Sequence, residues 1–230
     1  MEGVLNIIIV SMAAAFTGVM LGLSAVYVFN HMPAKWLCDY DEEPSEELLD
    51  RSRKRLKEYP AKFVFPAAFS IAGVYLCNQD YVFGFAALFE LWLLLMISLS
   101  DSKYMIIPDQ FVIFLALFAF PMSVYRSDVE DMIFGALLGA GIMLLVSIIG
   151  KLFMKKSVLG FGDVKLMGAI GLTAGLYGTA IILVLTSLIS AGYFAIGMAR
   201  GSIKRGDEKP LGPFIALSTG IYLVFIAAVL

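Results

Sequence analysis

The chain has 230 residues, of which 60% are hydrophobic and only 16% charged, with a mean hydropathy of +0.87 and a formal net charge of −2. Soluble domains are roughly half apolar, so this composition excludes a soluble globular protein and makes lipid the natural solvent of a polytopic chain. Two cysteines (Cys38 and Cys77), one histidine (His31) and no CxxC pair exclude a Cys/His zinc site, haem attachment and thioredoxin-like chemistry.

The first apolar stretch, about 4–30, follows Met-Glu rather than a basic n-region, so it is read as a retained span and not a signal peptide. A polar segment, 31–62, comes next. Further apolar runs cover about 63–77, 82–100, 110–125, 132–151, 164–177, 179–199 and 211–229. The sixth and seventh spans are divided only by Tyr177-Gly178-Thr179. The expected fold class is all-α: a polytopic membrane helix bundle of about eight transmembrane helices. It forms a single membrane domain over 1–230.

Basic residues orient the spans. If they alternate and 31–62 faces the cytoplasm, the cytoplasmic connections hold Lys35, Arg51, Arg53, Lys54, Arg55, Lys57, Lys62, Lys103, Lys151, Lys155, Lys156, Lys165, Arg200, Lys204, Arg205 and Lys209. Of the 17 basic residues only Arg126 falls elsewhere. This is the asymmetry of the positive-inside rule, and it puts both termini on the non-cytoplasmic side.

Within 31–62, Asp39, Glu42, Glu43, Glu46, Glu47 and Asp50 precede the basic run Arg51 to Lys57. Ser45-Glu46-Glu47 before Leu48-Leu49 is a helix-start pattern. The segment is read as a cytoplasmic charged loop or a short surface helix. Gly18/Gly22, Gly135/Gly139 and Gly171/Gly175 lie four apart inside apolar spans, a spacing that allows close helix approach.

Ionisable residues within spans cost about 2.5–3.5 kcal/mol at mid-depth and need a reason. Three stand out: Glu90, Asp101 and Asp163. Glu90 falls near mid-bilayer and reads either as an interhelical hydrogen-bonding group or as a polar wall of a site. Asp101 closes the third span, at a helix end where the dipole disfavours an anion. Pro108 interrupts the helix beyond it, and Asp109 is placed to cap the next one. Asp163 follows the turn Gly160-Phe161-Gly162, where a capping role is the structural alternative. Asp101 ends an inward span and Asp163 begins an outward one, so both lie on the same membrane side at similar depth. Two adjacent carboxylates do not both ionise readily. One can then activate water while the other protonates the carbonyl oxygen or the leaving amine. Competing constellations fail: the lone histidine gives no general Ser-His-Asp option, and GxSG, HExxH and Walker A patterns are absent.

At these residues the chain resembles the type IV prepilin peptidases, members of the GxGD aspartyl proteases. The resemblance rests on Asp101 followed by Ile107-Pro108-Asp109, and on Gly160-Phe161-Gly162-Asp163-Val164-Lys165-Leu166. Gly171-Leu172-Thr173-Ala174-Gly175 and the late Lys209-Pro210-Leu211-Gly212-Pro213-Phe214 turn add to it. It covers about 85–230, the implied peptidase core. It implies a membrane aspartyl endopeptidase in which Asp101 and Asp163 are the catalytic pair and Gly160, Gly162, Lys165, Asp109 and Pro108 support them. No metal or cofactor serves proteolysis; S-adenosylmethionine is the donor if the new N-terminus is also methylated. The implied partners are prepilins or pseudopilins and the bilayer, not nucleic acid. The implied place is the bacterial cytoplasmic (inner) membrane, with the site toward the cytoplasm. Family members usually carry two CxxC pairs in the first cytoplasmic insert. Here Cys38 stands alone, which argues against metal binding there and leaves methylation open. A small membrane transporter, a non-catalytic pilus assembly factor and an archaeal preflagellin peptidase are the other readings.

Overall fold

The computed structural model describes residues 2–39, 42–50, 54–119, 129–154, 159–204 and 209–227. Arg51, Arg53, Arg126, Lys155, Lys156 and Arg205 of the topology argument lie outside them. The described chain is helical, with no strand among the described residues. The helices are α1 (Glu2–His31), α2 (Glu46–Leu49), α3 (Glu58–Gln79), α4 (Tyr81–Tyr104), α5 (Asp109–Leu117), α6 (Val129–Met154), α7 (Phe161–Ala199) and α8 (Gly212–Ile221). A π-helical turn, Tyr222–Ala227, continues α8. Five of them, α1, α3, α4, α6 and α7, are long and apolar enough to cross a membrane. Their surfaces carry exposed Phe16, Ile71, Leu137 and Leu188, side chains that lipid accommodates and water does not. The chain is a multi-pass membrane protein.

The chain forms two compact units, residues 1–96 with 223–230, and residues 97–222. In the first, α1 packs on α3 through its small residues. A Cβ added to Gly18 would meet the Ser70 backbone nitrogen at 2.5 Å, and one on Gly22 the Pro66 nitrogen at 2.3 Å. Ser70 Oγ donates to the Ala15 carbonyl at 3.1 Å, and the Trp92 indole to the Leu21 carbonyl at 3.1 Å. Leu21, Phe69 and Leu88 form the core of this contact. Between α1 and α3, the predicted surface helix is a single turn, α2, which ends at Asp50. Asn30 ties this connection down by bonding both the carbonyl (3.1 Å) and the N–H (2.8 Å) of Leu56. Glu90 is fully buried on α4. Cys38 and Cys77 are free thiols.

In the second unit α6 crosses α7 glycine against glycine. Cβ atoms on Gly135 and Gly171 would lie 2.4 and 2.3 Å from each other's carbonyl oxygens, and one on Gly139 would lie 2.5 Å from the Met167 carbonyl. All three four-apart glycine pairs are therefore packing surfaces. The expected division at Tyr177-Gly178-Thr179 falls two residues too late. Those residues are helical, and the break in α7 is Gly175, at φ 68 and ψ −178. That backbone is open to glycine and strained for any other residue. Asp131 Oδ1 accepts the Leu176 N–H at 3.0 Å beside the break, so the amide released there keeps a partner.

Candidate active site

The two aspartates identified from the sequence come together in the second unit. Asp101 sits in the last turn of α4 and is 5% exposed; Asp163 sits in the first turn of α7 and is 7% exposed. Their carboxylates are close enough to act on each other electrostatically.

The chain reverses abruptly after Asp101. Met105 takes φ 54 and its N–H donates to the Asp101 carbonyl at 2.9 Å. Left-handed backbone at a non-glycine residue costs free energy and persists only where its surroundings enforce it. One enforcing contact is buried Ser100, whose Oγ donates to the Ile106 carbonyl at 2.8 Å. Pro108 then takes the cap position of α5, and Asp109 is its first helical residue. The expectation that Asp109 caps α5 is thus corrected: it stands one residue too late. Its carboxylate is held instead by Lys165, with Nζ at 3.0 Å from Oδ1 and 2.8 Å from Oδ2. This pair links the starts of α5 and α7, and the Lys165 ammonium also lies 5.3 Å from the Phe161 ring centroid.

Gly160 caps α7 with φ −72 and ψ 147, a conformation open to any residue. It lies beside the Asp163 carboxylate, whose Oδ2 would be 3.5 Å from a Cβ added to Gly160. Asp163 is therefore the third helical residue and not the cap itself. Gly162 is the glycine that closeness requires, since a Cβ there would lie 3.1 Å from Ile107 Cβ. So the turn before Asp163 packs on the loop after Asp101. Asp163 Oδ1 is buried and has no hydrogen-bond partner among the described residues, whereas buried carboxylate oxygens are ordinarily bonded.

A third helix start enters the site without having been foreseen. Gly212, the first residue of α8, donates its N–H to Asp101 Oδ2 at 2.7 Å. The start of α8 is fixed by Phe214, whose ring lies 5.1 Å from Tyr193 and 5.8 Å from Phe194. The sequence signal was the Gly212-Pro213 turn, which reads as a helix entry but not as a hydrogen-bond donor. Asp101 is thus held by the N-terminus of α8, and Asp163 sits in the first turn of α7, where backbone N–H groups and the dipole favour an anion. Two buried carboxylates, with Asp163 Oδ1 unbonded among the described residues, form an arrangement suited to moving protons to and from a water molecule.

Residues 87–195 match the model of the type IV leader peptidase family. The chain is 30% identical over 143 residues to a prepilin leader peptidase/N-methyltransferase of Pseudomonas aeruginosa, covering 61% of this chain and 49% of that protein. It is 29% identical over 147 residues to the protein of that name in Vibrio cholerae (63% and 57%), and 25% over 179 residues to that of Xanthomonas campestris (74% and 62%). The chain spans about half the length of the Pseudomonas protein. No solved structure matches.

Proposed function

We propose that this chain, whose residues 87–195 match the type IV leader peptidase family, is an aspartyl endopeptidase that removes the basic leader from prepilins or pseudopilins at the cytoplasmic face of the bacterial inner membrane. The observation that carries this is the placing of Asp101 and Asp163 at the ends of two apolar helices, both buried and near enough to interact electrostatically, with Asp101 held by the Gly212 N–H. The distribution of basic residues supports the orientation, with both termini outside.

In this reaction the unbonded Oδ1 of Asp163 accepts a proton from water as the water oxygen attacks the scissile carbonyl carbon. Asp101, oriented by Gly212, donates a proton to the carbonyl oxygen. Collapse of the tetrahedral species breaks the C–N bond, the departing amine takes the proton held by Asp163, and one of the two hydroxyls returns its proton to Asp101 as the new carboxyl group forms. Gly160, Gly162, Pro108 and the Asp109–Lys165 pair keep the two loops in register.

The relatives' name also includes N-methyltransferase, and S-adenosylmethionine would supply the methyl group for that second activity.

The test is mass spectrometry of a synthetic peptide with a basic leader, Gly-Phe and an apolar helix, incubated with the purified chain and S-adenosylmethionine. A product beginning at Phe is expected. Asp101→Asn and Asp163→Asn should each lower its rate by at least about 10²-fold while the protein still inserts. Cleavage persisting near the parental rate in either variant would remove the proposal, and an added methyl mass would show the second activity.

A further inference from the structure

The first unit contains a cavity of about 890 Å³ where α1 ends and α3 begins. Leu23 and Val26 of α1 and Leu48 and Leu49 of α2 give it apolar lining. Lys35, Lys54, Arg55 and Lys62 line it together with Asp50 and Glu58, a surplus of two positive charges among the described lining residues. Glu58 is shared between Lys54 and Lys62. Arg55 is fixed in place by donating to the carbonyls of Met32 and Leu48, the latter at 3.2 Å. A fixed guanidinium beside lysine ammonium groups suits a phosphate.

The position narrows the source of that phosphate. α1 is apolar over Gly3–His31 and stops at the cavity, so the mouth lies at headgroup depth. Exposed Tyr27 and Tyr59 and half-buried Trp36 stand around this level, as aromatic residues do at a membrane interface. From the cavity, exposed Tyr27, Leu23, Met20 and Phe16 run along one face of α1 at helical spacing. That stripe leads away from the charges and into the apolar part of the span. A free phosphate would use the cations and leave both the apolar lining and the stripe without a role.

We propose that this cavity binds the headgroup phosphate of an anionic phospholipid, whose acyl chains lie along the Phe16–Tyr27 face of α1. The proposal uses residues of the first unit only and does not depend on the peptidase reading.

The test is native mass spectrometry of the full chain released from detergent micelles after titration with dioleoyl phosphatidylglycerol or dioleoyl phosphatidylcholine. One phosphatidylglycerol per chain is expected, held at least about tenfold more tightly than phosphatidylcholine. Inorganic phosphate should not displace it. Lys35→Gln with Lys62→Gln should weaken retention roughly thirtyfold. Ala34→Trp, which fills the cavity without altering its charge, should also release the lipid, and it keeps the test open if the lysine variant misfolds. Equal retention of the two lipids, displacement by inorganic phosphate, or undiminished retention in a folded variant would each overturn the proposal.

Discussion

Gly212 and Asp101 stand in a relationship that neither could have with a different neighbour. The glycine N–H donates to Asp101 Oδ2 at 2.7 Å, and a Cβ on that glycine would lie 2.7 Å from the same oxygen. Asp101 closes its own helix, where the carbonyl end of the dipole opposes a negative charge. The start of α8 supplies the opposite end of a second dipole together with a direct donor. A residue placed against its local electrostatics is thereby accommodated by a helix 111 residues away in sequence.

Gly212→Ala should therefore disable the site without disturbing the fold. The added methyl meets the carboxylate, not a flexible hydrocarbon, and its Cβ also crowds Asp101 Cβ at 3.0 Å. Asp101 must rotate away from its donor. Displacement of a reacting group by about 1 Å costs on the order of 10²-fold in rate, so kcat for the leader peptide should fall by about that factor while KM and helicity stay unchanged. A rate within twofold of the parent would show that Gly212 does not orient Asp101.

How much of this was legible follows from what each residue had to do. Asp101 and Asp163 could be singled out because an ionisable group at the end of an apolar run is costly, and the order of residues along the chain shows it. The glycine pairs could be read because packing of helices in lipid depends on small residues at a fixed spacing. Gly212 could not, since a backbone N–H has no side-chain signature and its partner lies in a distant segment. Asp109 reads as a local cap because Asp is a favoured residue where a helix starts. Its pairing with Lys165 is a tertiary contact that no local pattern encodes. The break in α7 is hard to place for a related reason: both Gly175 and Gly178 permit a turn, and the structure puts it at Gly175, against which Gly135 of α6 packs.

The Asp109–Lys165 pair should act as one unit. Its side chains are 25% and 35% exposed, so it is a partly screened pair that positions two helix starts more than it stabilises the fold. Asp109→Asn and Lys165→Gln should each slow cleavage, and the double variant should be no slower than the worse single. That non-additivity corresponds to a coupling of about 1 kcal/mol in activation free energy. Rates that multiply in the double variant would mean that the two residues serve separate purposes.

The two glycines before Asp163 should respond differently. Gly162→Ala pushes a methyl against Ile107 Cβ at 3.1 Å, beside a proline that limits how far the loop can yield. A shift of a few tenths of an ångström between the two aspartate-bearing segments should lower kcat about tenfold. Gly160→Ala adds a methyl 3.5 Å from Asp163 Oδ2, an ordinary contact, on a backbone that alanine adopts freely. It displaces neither carboxylate, so its kcat should stay within about threefold of the parent, well inside the loss expected for displaced reacting groups. Equal losses in the two variants would contradict this division of roles.

Gly175 and Asp131 together hold the bend of α7. At φ 68 and ψ −178 an alanine is strained, at a cost of order 1–3 kcal/mol. Gly175→Ala should therefore lower the thermal midpoint of the detergent-solubilised chain, measured by intrinsic fluorescence. Asp131→Asn keeps an oxygen acceptor for the Leu176 N–H and should change the midpoint little. Asp131→Ala removes the acceptor, but that hydrogen bond is exposed, so another acceptor can replace it and the loss should be smaller than for Gly175→Ala. The order matters because it separates backbone strain from hydrogen bonding as the origin of the bend. Were Asp131→Ala the more damaging variant, the side-chain contact would be what imposes the break, and the glycine would only permit it.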